Sequence, residues 1–160
     1  AADIVIESFP LYFFGMPSQM KATTDRCLPF MLPYMGNLVE DKNASFHELR
    51  DESMHEKRLV VITTCGYVDE KPMYPALLKQ LDLIAGEGHY TAILCPEGEL
   101  FIADKAKRQR EGYLAEITRA GAEFAQNRAL SEETKKRIAK PILSPKGFET
   151  ITLAHWGMNK

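Results

Sequence analysis

Two short segments hold the residues best suited to chemistry. Phe9-Pro10-Leu11-Tyr12-Phe13-Phe14-Gly15-Met16-Pro17 gathers three phenylalanines and a tyrosine, with proline and glycine fixing the backbone. A loop this apolar either covers something flat, forms an interface, or caps the core. The second segment is Thr63-Thr64-Cys65-Gly66-Tyr67. It offers hydroxyls and a glycine whose backbone can approach a ligand closely. Its Cys65 is either a reactive thiol or a small filler, and a strand-end cysteine in a Thr-rich loop is more often the filler.

Other polar residues weigh toward plain solvation. His47, His55, His89 and His155 share no metal-ligand spacing, so no metal site is expected. His47 and His55 fall in a polar stretch with Glu48, Asp51, Glu52 and Glu56. Lys105, Lys107, Arg108 and Arg110 open a long helical pattern. They could attract the phosphate of a nicotinamide dinucleotide, but a solvated helix face is the simpler reading. Lys21 and Asp25 stand four residues apart and suit a helix-surface ion pair.

Three strands must position the two segments. Asp3–Ser8 is a short β-branched run stopped by Pro10, Arg58–Cys65 is a continuous block ended by Gly66, and Tyr90–Cys95 is ended by Pro96. Helical patterns run from Pro17 to Met31, from Pro72 to Gly86, and from about Asp104 to Arg128. Ser131 looks like the N-cap of a short fourth helix ending before Pro141. Pro141–Lys160 reads as a packing arm. This alternation predicts an α/β fold, a parallel sheet in three layers with helices on both faces. Ligands then bind beyond the carboxyl ends of the strands, at Phe9–Met16, Cys65–Lys71 and Pro96–Phe101.

The 160 residues are 45% hydrophobic and 26% charged, enough for one real core. Twenty Lys and Arg against 22 Asp and Glu give a net charge of −2, so no electrostatic footprint for nucleic acid appears. The longest uncharged runs, Ser8–Met20 and Cys27–Val39, are thirteen residues each and too short to span a bilayer. No signal peptide is expected. Three separated cysteines without a Cys-x-x-Cys motif suit a reducing, cytoplasmic setting.

Against this background, Ala2–Arg26 resembles the third strand, loop and helix of the flavodoxin-like NAD(P)H-dependent FMN reductases. Pro10, Tyr12, Pro17, Lys21, Asp25 and Arg26 match that pattern in spacing. The turn Thr64-Cys65-Gly66-Tyr67 resembles the family's second flavin-contacting loop, especially in its iron–sulfur flavoprotein-like branch. Similarity continues through Pro96–Leu100 and Ser131–Pro145. The resemblance implies a sheet ordered 2-1-3-4-5 that binds FMN. Pro10, Leu11, Tyr12, Phe13, Phe14, Gly15 and Met16 would lie along the isoalloxazine ring, and Thr64, Cys65, Gly66 and Tyr67 would approach its pyrimidine side. No catalytic side chain is expected, because the flavin itself carries the hydride.

The implied activity is a flavin-dependent oxidoreductase. NAD(P)H reduces FMN, which then reduces an acceptor. The alternatives are a flavodoxin-type electron carrier without an NAD(P)H site, or a non-catalytic module using the aromatic loop as an interface. The family's phosphate-binding loop and its first two strands have no counterpart in these residues. The expectation is therefore that residues 1–130 form the C-terminal two-thirds of an FMN-binding domain, with an upstream segment supplying the rest. Residues 131–160 then form a helix and packing arm. A homodimer or larger assembly is expected, because Phe13, Phe14, Met16, Phe30, Met31, Tyr34 and Trp156 exceed what one small sheet covers.

Overall fold

The computed structural model describes residues 2–32, 49–69 and 71–158. Strands β1 (Ile4–Pro10), β2 (Arg58–Thr64) and β3 (Tyr90–Cys95) run parallel in one sheet, in the order β1-β2-β3. Helix α1 (Ser18–Arg26) follows β1, and α2 (Pro75–Ala85) joins β2 to β3. Helices α3 (Lys107–Asn127), α4 (Glu132–Ile138) and α5 (Pro145–His155) come after the sheet. This is the expected α/β class with a parallel sheet. Val60 and Val61, adjacent and both buried, confirm that β2 is covered on both faces at that point. β1 is the terminal strand, and it exposes Ile4, Val5 and Ile6.

Several boundaries differ from the sequence reading. β1 runs on through Phe9 to Pro10 instead of stopping at Ser8. A proline at the end of an edge strand removes no donor that the ladder needs. α1 ends at Arg26, short of Met31, and the chain tightens into a 3₁₀ turn at Leu28–Phe30. Pro29 explains the break: it has no N–H, and its ring crowds the carbonyl of Asp25. α2 begins at Pro75 rather than Pro72, with Pro75 in the first turn where a missing N–H costs nothing. The arm contains a full helix, α5. Tyr34, Met35, His47 and Glu48 lie outside the described residues, as do the side chains of Glu52 and His55.

The chain divides into two compact units: Ala1–Ile62 with Tyr74–Ala92, and Thr63–Met73 with Ile93–Lys160. In the first, Phe9, Val60, Val61, Tyr74, Leu77 and Leu81 are buried. Leu77 and Leu81 lie one turn apart on α2, which puts them on one face. Gly86 then ends the helix at φ 89°, a conformation open mainly to glycine, and its N–H donates to Asp82 O at 3.0 Å. The Tyr90 hydroxyl donates to Asp82 Oδ1 at 2.9 Å, fastening the start of β3 to α2. Burial, and then this carboxylate, push the Tyr90 phenol well above its ordinary value.

In the second unit, Leu100, Ala103, Ala106 and Phe148 form a buried cluster, with Val68, Ile142, Leu143 and Ile151 packed against it. Ser131 caps α4 by accepting from the Thr134 N–H, and Ser144 caps α5 by accepting from Gly147 N–H at 3.2 Å. Glu132 and Glu133 begin α4, and Lys135, Lys136 and Arg137 end it, charges that suit the helix dipole. The Tyr113 hydroxyl donates to Ile138 O at 3.0 Å and ties α3 to α4.

Tyr90→Phe should keep the ring and remove only the fastening to α2. We expect a loss of about 1–2 kcal/mol, the usual worth of a hydrogen bond to a charged acceptor, read from the urea midpoint at constant slope.

Candidate functional site

In the first unit, the segment after β1 is a two-residue hairpin turn. Tyr12 and Gly15 exchange both backbone hydrogen bonds, at 3.3 and 3.1 Å. Phe13 and Phe14 occupy its crest with φ 47° and 65°. Positive φ at both central residues marks a type I′ turn, whose usual occupants are Asn-Gly. Here two phenylalanines adopt it, at a cost of about 1–2 kcal/mol each against ordinary backbone. Phe13 is 102% exposed, and Tyr12 and Phe14 are also exposed. The loop therefore does not cap the core.

Gly15 keeps a negative φ and a Cβ would meet nothing there, so the strain falls on the aromatics and not on the glycine. Leu11 and Met16 are half-buried, and Met16 Sδ accepts from Thr24 Oγ1 at 3.7 Å, anchoring the loop to α1. Pro10 is exposed at the strand end.

In the second unit, Thr64 ends β2 and the chain turns through Cys65, Gly66 and Tyr67. The loop after β3 is laid along this turn by two backbone bonds. Gly98 N–H donates to Cys65 O at 2.7 Å, and Glu97 N–H donates to Tyr67 O at 2.9 Å. Glycine at position 98 avoids crowding this junction, because a Cβ would come within 3.1 Å of Cys65 O. Gly66 and Tyr67 are exposed; Cys65 is buried, which makes it the small filler. The side chain lying on Gly66 is Glu99, whose Oε1 would stand 3.1 Å from a Cβ there. Gly66 lacks positive φ, so the constraint on it is the close approach of the Glu99 tip and not backbone conformation.

Glu97 sits just behind the turn. It is fully buried, in the left-handed conformation at φ 55°. Its carboxylate accepts from the Ile142 N–H, and from the Leu143 N–H at 3.0 Å. Burial raises its pKa, and these two backbone donors partly offset the rise. Sequence reasoning singles out neither Glu97 nor Glu99. The available signal is two carboxylates flanking a glycine at a strand end.

The remaining candidates take the plain reading. Lys21 and Asp25 pair at 2.5 Å on the exposed side of α1. In the basic run, Lys107 pairs with Glu111 at 3.9 Å and Arg110 donates to Phe101 O at 2.9 Å. Lys105 lines a cavity of about 240 Å³ with Ala103, Asp104, Ile151, Ala154 and His155. Among the described residues, no group of His, Cys, Asp and Glu could hold a metal ion, and no helix is long and apolar enough to cross a membrane.

A family model described as flavodoxin-like fold matches residues 1–92, more than half of the chain. A search of the curated proteins returns no match. The chain belongs to this flavodoxin-like-fold family, and the parallel sheet agrees with it.

Replacing Phe13-Phe14 by Asn-Gly should relieve the turn and remove both crest aromatics. We expect thermal unfolding to shift upward by the equivalent of about 2–4 kcal/mol. Glu97→Gln tests the buried carboxylate. A carboxyl whose folded pKa is raised lends stability that is complete below its unfolded value of 4.5 and is lost as pH climbs through the folded value. Urea midpoints of the parent should therefore carry a component that falls as pH rises above about 4.5. The Gln variant should lack that component and be less stable at low pH, because a buried amide N–H₂ has no acceptor.

Proposed function

We propose that this member of the flavodoxin-like-fold family is part of a flavin-dependent oxidoreductase, in which NAD(P)H reduces FMN and the reduced flavin passes its electrons to an acceptor. The observation that carries the reading is the Phe13–Phe14 turn. Strained backbone displaying exposed aromatics beyond a parallel strand end is costly unless something flat lies on it. Tyr12, Phe13 and Phe14 offer ring faces there. Tyr12 and Gly15 close the turn on each other, which leaves the crest N–H groups of Phe13 and Phe14 for a ligand's acceptor atoms. At the other segment, exposed Gly66 presents bare backbone beside exposed Tyr67. Each segment, taken by itself, offers groups that suit a planar, heteroatom-rimmed ring.

Once bound, FMN supplies the hydride chemistry, taking a hydride from NAD(P)H at N5. The protein's part is to bind, orient and exclude water. Half-buried Leu11 and Met16 flank the aromatic turn in sequence, and backbone N–H donors would favour negative charge on the reduced ring. A homodimer is the further part of this proposal. Phe13, Phe14, Phe30 and Trp156 remain exposed, whereas Met16 and Met31 are half-buried in the chain itself. Sedimentation of the complete protein as a monomer at micromolar concentration refutes the dimer.

The visible spectrum of the full-length protein, followed by anaerobic mixing with NADPH, tests the function. A flavin band that bleaches on mixing is expected. Flavin that stays oxidised for minutes leaves an electron carrier, and a protein that neither contains nor takes up flavin leaves an interaction module. Gly66→Val should weaken FMN binding by about 1–3 kcal/mol, because its side chain must displace the Glu99 carboxylate and cover the bare peptide. Titration of the apoprotein with FMN, followed by fluorescence quenching, measures it.

A further inference from the structure

Glu99 is used by nothing described so far. Its carboxylate is seated on Gly66, with Oε1 3.1 Å and Cδ 3.7 Å from where a Cβ would be. A Cβ at position 66 would crowd it, and the carboxylate would have to give slightly. Oε2 is shielded from solvent and has no hydrogen-bond partner among the described residues. No described lysine, arginine or histidine pairs with Glu99. Its neighbour Glu97 answers two backbone N–H groups, so that second carboxylate is already occupied. Glu99 is different: an uncompensated carboxylate held against an exposed turn, in a loop fastened to that turn by two backbone bonds. Buried acceptors are nearly always satisfied, and an exception in a native fold calls for a role.

We propose that Glu99 sets the reducing power of a flavin held at the Gly66 turn. The inference rests on the flavin reading given above. Reduction adds two electrons and one proton to the oxidised ring, which raises its negative charge by one. The Glu99 carboxylate opposes that added charge. The oxidised ring gains no net charge and is held with little penalty. The bound cofactor thus becomes a stronger reductant than it would be at a neutral turn. Glu99 acts through this field alone and is a positioning residue, not a catalytic one.

The test is the two-electron midpoint potential of the full-length, FMN-loaded protein, measured by equilibration with a reference dye while dithionite supplies the electrons. Glu99→Gln keeps the shape and removes the charge. At a fixed potential it should hold a reduced-to-oxidised ratio about tenfold above the parent, a rise of about 30 mV for a two-electron couple. Glu99→Asp keeps the charge and should stay near the parent, an ordering that a merely structural role would not produce. If Glu99→Gln does not fold, Glu99→Ala also removes the charge and should raise the ratio in the same direction. An unchanged or lowered ratio in a variant that still binds FMN overturns the role of Glu99 and leaves the flavin reading standing. Failure of the parent to bind FMN overturns both.

Discussion

The second unit is organised around one buried carboxylate. Glu97 turns through a left-handed conformation, sends its N–H to Tyr67 O and reaches the Ile142 and Leu143 N–H groups with its side chain. One residue therefore joins three stretches: the turn after β2, the loop after β3 and the entry to α5. Charge-assisted bonds to backbone donors are worth roughly twice neutral ones, which makes a carboxylate the effective side chain for this junction. The same bonds counter part of the desolvation that raises its pKa. The Leu143 N–H held by Glu97 belongs to a residue packed against the cluster of Leu100, Ala106 and Phe148.

Strain is distributed with the same economy. Four described residues other than glycine adopt positive φ: Phe13, Phe14, Glu97 and Arg128. Arg128 ends α3, where a left-handed residue is ordinary. The other three lie in the loops beyond β1 and β3, the strand ends where a parallel sheet places its ligands. The glycines nearest the candidate segments behave otherwise. Gly15 and Gly66 keep negative φ, and Gly66 and Gly98 serve close approach of a carboxylate and of a backbone carbonyl. Stability and aromatic display are thus set against each other at Phe13-Phe14: a sequence better suited to the turn would lose the aromatic faces that the turn displays.

Much of the fold was legible because its signals are local. β-branched runs marked β1 and β2, the stop at Pro96 bounded β3, and hydrophobic spacing marked α2 and α3. Ser131 marked α4 because a cap acts within three residues. α5 escaped notice although Ser144-Pro145 is a good start. Gly147 falls in its first turn and Thr150, Ile151 and Thr152 follow, all poor helix formers, and burial of Phe148 and Ile151 overrides their propensity. Pro29 defeated the extension of α1 for the opposite reason, since a missing donor outweighs good spacing.

For the candidate site, sequence determined which residue types stand at the strand ends: the aromatics at Tyr12–Phe14 and the bare glycine at Gly66. Those follow from the order of strand, loop and helix alone. Tertiary structure decided how each is used. Only pairing of Tyr12 with Gly15 makes Phe13 and Phe14 take the strained crest. Only the packing of the β3 loop on the β2 turn seats Glu99 on Gly66 and buries Glu97 at a junction more than forty residues distant in sequence. A carboxylate's role depends on what surrounds it once water is removed, and that environment is assembled from segments whose separation no local pattern records.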